Sequence, residues 1–152
     1  GTPRGAGAAR NLPQVLALKE NATFCLEPEG DSPFRKSLSD SIAFGCIPVL
    51  FSNLTDSVAP WFWRDWKDRG RVLLPRQPFI EGLIDLRALL TSVPPALLRI
   101  FQRTLAHHRR SFQYGLDDEP GDAAHVLLAG VGQEAQQNCA AGIASTGRRE
   151  RR

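Results

Sequence analysis

Ser32, Arg35, Lys36 and Asp40 lie within nine positions of one another, directly after Gly30-Asp31. A hydroxyl, two cations and a carboxylate so spaced suit an anionic ligand that also carries hydroxyls. The local pattern predicts a helix to hold them. Ser32 is a good N-cap, Pro33 suits the first helical position, and Gly45 suits the C-terminal cap. Phe34, Leu38 and Ile42 then form one apolar stripe, leaving Lys36 and Asp40 on the polar side. The free amides and dipole at such a helix start favour a phosphate, with Arg35 and Lys36 as added cations and Asp40 an acceptor for sugar hydroxyls. Thr23–Leu26 reads as a strand before this helix and Cys46–Phe51 as a strand after it. Residues 23–52 therefore form a strand–loop–helix–strand unit, and parallel α/β proteins bind ligands at the carboxyl ends of such strands.

A plainer reading stands beside this one. Lys36 and Asp40 are four apart and can simply form a surface ion pair worth a few tenths of a kcal/mol. No GxGxxG or GxxxxGK[ST] run occurs, so a dinucleotide oxidoreductase lacks its fingerprint.

The remaining elements point to a three-layer α/β domain. Leu12–Lys19 reads as a helix and Arg71–Leu74 as a third strand. Cys46–Phe51 is apolar throughout, as for a sheet covered on both faces, and Pro48 asks for an early or edge position in it. Ile80–Leu90 has near-helical spacing. Pro94-Pro95 ends that run and opens a helix whose Leu97, Phe101, Leu105 and Phe112 share a face, and Asp122–Ala129 is a last short helix.

With 152 residues the chain suits one domain of ordinary size, too short for two domains of ~150 residues each. Its formal charge is +3, but the last five residues, from Arg148, carry that whole excess. The body is neutral overall, and nucleic acid is not an expected partner. Of three cysteines, Cys25 and Cys46 fall on adjoining predicted strands. They are either buried thiols or, if the strands are neighbours, a bridge. No segment has the length of a membrane span, and no signal peptide is seen. Asn21-Ala22-Thr23 and Asn53-Leu54-Thr55 are glycosylation sequons, compatible with a secretory route. Trp61, Phe62, Trp63 and Trp66 can stack on sugars, but helical packing of Phe62 and Trp66 is the simpler account. His107-His108 reads as core-edge or surface, and Asp117-Asp118-Glu119 as a solvated turn rather than a DxD metal motif.

The run FCLEPEGDSPFRKSLSDSIAFGCIPVLFS closely resembles the exostosin-like glycosyltransferases, most of all their plant and algal branch. Phe24, Cys25, Leu26, Pro28, Gly30, Asp31, Ser32, Arg35, Lys36, Asp40, Gly45, Cys46, Pro48 and Val49 all fit that pattern in register. The resemblance implies a Rossmann-like domain forming the C-terminal, donor-binding half of a GT-B enzyme. It implies transfer of a sugar, in most members with inversion, from a nucleotide-sugar such as a UDP-sugar to a polysaccharide or glycoprotein acceptor. Gly30, Asp31, Ser32, Arg35, Lys36 and Asp40 become the nucleotide-sugar site, with no metal or other cofactor expected and the catalytic base assigned to no residue here. Some members carry an arginine at the position of Ser37, and animal relatives have glutamate at that of Asp40. A Golgi membrane protein working on the lumenal side, anchored through a segment outside this stretch and able to oligomerise, is also implied. The expected layout is a disordered edge over 1–11, the nucleotide-sugar domain over 12–131 and a disordered basic tail over 132–152. The alternative is a catalytically inactive glycan- or partner-binding module that keeps the fold.

Overall fold

The computed structural model describes residues 6–33, 35–57, 60–63, 65–117 and 119–149. Three short strands, β1 (Phe24–Glu27), β2 (Ile47–Leu50) and β3 (Val72–Leu73), form a parallel sheet in the order β1-β2-β3. Phe24 pairs with Ile47 and Val49 with Val72. The chain is thus mixed helix and strand around a small parallel sheet, as the sequence predicts.

Pro48 lies in the central strand rather than on an edge strand, yet early in it. The Ile47 amide donates to the Thr23 carbonyl on the β1 side. Alternation therefore turns Pro48 toward β3, whose pairing begins only at Val49. Its missing N–H falls where no neighbour needs it.

Residues 47–51 feed two apolar clusters, Ile47 and Leu50 in one and Val49 and Phe51 in the other. Leu50 joins Leu38, Ile42, Trp63, Trp66, Phe101 and Leu105. Val49 and Phe51 join Leu74, with Phe79, Leu86, Leu89 and Leu90 packed around them. Helices thus cover both faces: α2 (Lys36–Phe44) and α7 (Pro95–His108) on one, α5 (Arg76–Ile80) and α6 (Leu86–Thr91) on the other. Cys25 and Cys46 are joined as a disulfide with 5.7 Å between Cα atoms, which resolves the choice left open by the sequence. Parallel pairing of β1 with β2 supplies the required approach.

Several boundaries differ from expectation. The helix α1 spans Ala6–Asn21, so part of the stretch expected to be disordered is helical, with Pro13 inside it. The run Ile80–Leu90 is two short helices. Gly82, at φ 71°, turns the chain, and the Asp85 carboxylate caps α6 by accepting from the Ala88 amide. The last helix, α8 (Ala123–Arg149), continues through residues expected as a disordered tail, where Ala, Gln and Glu favour helix. Pro95 opens α7 as predicted, and Phe101 and Leu105 face inward. Leu97 is exposed, and Leu98 takes the inward place instead.

Candidate functional site

The strand–loop–helix unit is present, but the helix begins later than its sequence suggests. Ser32 lies in a bend, and α2 starts at Lys36 with an extended Arg35 (φ −121°, ψ 139°) as N-cap. The free amides therefore start near Lys36 rather than at Ser32–Phe34, and no side chain caps them. Phe34, expected in the apolar stripe, lies outside the described residues. Leu38 and Ile42 are buried as predicted, and Gly45 ends the helix in the left-handed region at φ 76°.

The extended Arg35 backbone lets its side chain fold back over the loop. Its Nη1 donates to the Pro28 carbonyl at 3.1 Å. A Cβ on Gly30 would sit 3.1 Å from the Arg35 Nε, so glycine there makes room for the guanidinium. Lys36 donates to both Asp40 carboxylate oxygens, at 2.6 and 2.9 Å. That is the surface ion pair of the plainer reading, with Lys36 largely in solvent. Gly30, Asp31 and Ser32 are exposed around it. The structure thus brings Arg35 to Gly30 and Lys36 to Asp40, and Ser32 caps nothing.

A cavity of about 400 Å³ opens where β1 and β2 end. Leu26, Pro28 and Glu29 form one wall, Phe51 the floor, and Arg76, Phe79 and Ile80 the other wall. None of the six residues singled out from the sequence lines it, but Pro28 joins the two places, lining the cavity while accepting from Arg35. Across the mouth, Arg76 approaches Glu29 at 3.3 Å. Phe79 leans on Phe51 with 4.8 Å between centroids. A mostly apolar slot with one cation and one carboxylate at its rim suits a flat ring bearing polar substituents.

Beneath α2 lies a buried polar group that the sequence reading missed. Lys19 donates to Glu27 Oε1 at 2.9 Å, to the Ser37 carbonyl at 2.7 Å and to Ser41 Oγ at 2.6 Å. Ser41 and Ser37 hydroxyls also donate to Glu27 Oε1, at 2.5 and 3.1 Å. The signal was present in the strand FCLE, whose period of two sets Glu27 on the same buried side as Cys25. This network ties α1, the end of β1 and the first turn of α2 together.

The aromatic cluster packs inward for the most part. Trp63 and Trp66 are core residues, and Phe62 lies 5.5 Å from Phe112, in keeping with helical packing. Trp61 is partly exposed beside α8. His108 stacks flat on Trp66, centroids 4.5 Å apart, at the core edge as expected. Burial, with the His107 and Arg69 charges, pushes its pKa below the usual 6.5. Burial raises the Asp56 carboxyl, but hydrogen bonds and charge from Arg71 and Lys67 outweigh it and leave its pKa below the usual range. Backbone amides of His125 and Gly115 lower that of Asp122. Among the described residues no three His, Cys, Asp or Glu side chains converge as a metal site, and no helix is long and apolar enough to cross a membrane.

Comparison with known proteins follows the same stretch. Residues 3–62 match the Exostosin GT47 domain, which contains β1, the Arg35 loop, α2 and β2. Over that stretch the chain is similar to exostosin-like proteins, and the curated relatives it matches are from plants. It is 31% identical over 119 residues to the probable beta-1,4-xylosyltransferase IRX10L of Arabidopsis thaliana, covering 76% of this chain and 27% of that protein. It is 39% identical over 83 residues to the probable xyloglucan galactosyltransferase GT13 of the same plant, covering 53% of this chain and 17% of that protein. With the probable xyloglucan galactosyltransferase GT15, also from that plant, it shares 58% identity over 57 residues, covering 38% and 12%. The chain thus matches about a quarter of the length of the first of these curated relatives, 27%. No solved structure matches it.

Proposed function

We propose that this chain is the donor-binding part of a glycosyltransferase that moves a sugar from a nucleotide-sugar, UDP-linked, to a polysaccharide or glycoprotein glycan. The observation that carries the reading is the agreement between the Exostosin GT47 match over residues 3–62 and relatives named as xylosyl- and galactosyltransferases. The domain proper spans 12–131 and is Rossmann-like, the C-terminal half of a GT-B enzyme that inverts the anomeric centre. The catalytic base lies outside the residues assigned here.

In this reading the nucleobase enters the slot between Leu26 and Phe79, and the diphosphate lies toward the uncapped start of α2. The Lys36 and Ser37 amides, with the Arg35 and Lys36 side chains, stabilise negative charge on the departing nucleoside diphosphate. Lys36 leaves Asp40 to do so, at a cost of only a few tenths of a kcal/mol for so exposed a pair. Asp40 is then free to accept from a ribose or sugar hydroxyl, while Gly30, Asp31 and Ser32 shape the loop. No metal or other cofactor is required by this arrangement, since helix dipole and basic side chains meet the diphosphate.

The disulfide and the two sequons favour an oxidising, lumenal compartment, read here as the Golgi, with any membrane anchor and any oligomer contact supplied outside this stretch. Calorimetry with UDP tests the site. Arg35→Ala with Lys36→Ala should weaken binding at least ~10-fold, given roughly 1.5–3 kcal/mol for a hydrogen bond to a charged group. Unchanged affinity removes both side chains from the donor site.

A further inference from the structure

We propose that the outward face of α7 is a binding strip for a glycan chain that carries carboxylates. Residues 95–112 contain four arginines and no aspartate or glutamate, so the neutral body divides into a basic stretch and an acidic remainder. The net charge conceals this segregation: two of the four, Arg99 and Arg103, stand on α7, and the other two open the 3-10 turn after it. The helical period turns Phe101 and Leu105 inward and sets Arg99, Arg103 and His107 at i, i+4 and i+8 on the opposite side, all exposed. Each step along that row is about 6 Å at 1.5 Å per residue.

Among the described residues, neither arginine of α7 is engaged as several of the chain's other cations are. Lys67 and Arg71 are held by Asp56, Lys36 by Asp40, and Arg110 by Glu119. Among the described residues no carboxylate pairs with Arg99 or Arg103. Arg69, on the neighbouring 3-10 turn Lys67–Arg69, adds charge close enough to act on His108. An ordinary solvated helix face mixes both signs and gains from i,i+4 pairs; this one has none.

The fold chooses among polyanions. The apolar face of α7 is spent on the core, so the helix has nothing to insert into a bilayer. The Cys25–Cys46 disulfide belongs to oxidising compartments, where acidic glycans rather than nucleic acids are the available linear polyanions. Every cation on α7 is arginine, whose planar fork grips a carboxylate with two parallel hydrogen bonds. The strip belongs to the cluster around Leu50, while the cavity opens toward Phe51 and Phe79, so the two sites are separate. The proposal does not depend on the donor reading.

Fluorescence anisotropy with a labelled oligogalacturonate tests it on the whole chain. Binding is expected at low ionic strength and should weaken as salt screens the charges. Arg99→Gln with Arg103→Gln should lower affinity ~10-fold, taking about 0.7 kcal/mol for each exposed pair. Arg87→Gln, on α6 and off the strip, should leave it unchanged. A neutral xylo-oligosaccharide should not bind, and UDP affinity should be the same in the double variant, which separates this outcome from any failure of the donor site. No binding at low salt, full affinity in the double variant, or tighter binding to phosphatidylserine vesicles than to the uronate would overturn the proposal.

Discussion

Lys19 and Glu27 meet at 2.9 Å beneath α2, both almost wholly withdrawn from water. One end of the pair lies on α1 and the other on the last residue of β1, so the contact fixes where the α2 loop leaves the sheet. Lys19→Met leaves the Glu27 carboxylate buried beside two hydroxyls and no cation. Breaking a buried pair from one side costs about 3–5 kcal/mol, and urea denaturation should show a loss of that size. Lys19→Met combined with Glu27→Leu should lose much less, because no charge is then stranded.

The disulfide closes a loop of sequence separation 21. The chain-entropy relation gives about 3 kcal/mol for such a closure. Cys25→Ala with Cys46→Ala should therefore lower the urea midpoint, and dithiothreitol should shift the unaltered protein toward the same value. A reductant-insensitive midpoint would mean that the bond is not formed in solution.

His108, stacked on Trp66, predicts a pH dependence of defined sign. Its folded pKa lies below 6.5 while the unfolded one stays near that value. Above pH 6.5 both states are neutral there, and the contribution is fully present. As pH falls below 6.5 the unfolded chain takes up a proton that the folded one resists, so stability declines until the folded pKa is passed. His108→Phe keeps a ring against Trp66 and should flatten that part of the profile, as thermal melts at pH 7.5 and 5.5 would show.

Gly130, in α8, lies against Trp61: a Cβ there would fall 2.3 Å from Trp61 Cγ. Alanine in a helix is ordinarily favoured over glycine by about 1 kcal/mol. Here the clash is with the root of the indole, so relief requires Trp61 to leave its rotamer and its place against α8. Gly130→Ala should therefore destabilise by about 1–3 kcal/mol and change the tryptophan fluorescence. A stabilised variant with an unaltered spectrum would show that α8 does not rest on Trp61.

Much of this fold was legible in local patterns. Gly45, Pro95 and the apolar run Cys46–Phe51 each carry a signal tied to one backbone requirement, and each fell into place. The start of α2 was misread because Ser32-Pro33 satisfies the local rule for a cap. What decides the matter is the reach of Arg35 to the Pro28 carbonyl, a contact across seven positions that no capping pattern encodes. Gly82 divided a run that periodicity alone made continuous. At the candidate site, Lys36 and Asp40 were readable as a pair, whereas the cavity beside them was not. Its walls come from Leu26 and Phe79, fifty-three positions apart, and only the pairing of the strands brings them together.

Pro48 bears on the width of the sheet from within. It is wholly buried, so what lies beside it is this chain's own packing. Its imide nitrogen has no proton to give, and a partner strand running beside β2 ahead of Val72 would find one rung missing. The residue that looked least at home in the central strand thus marks where the ladder to β3 begins.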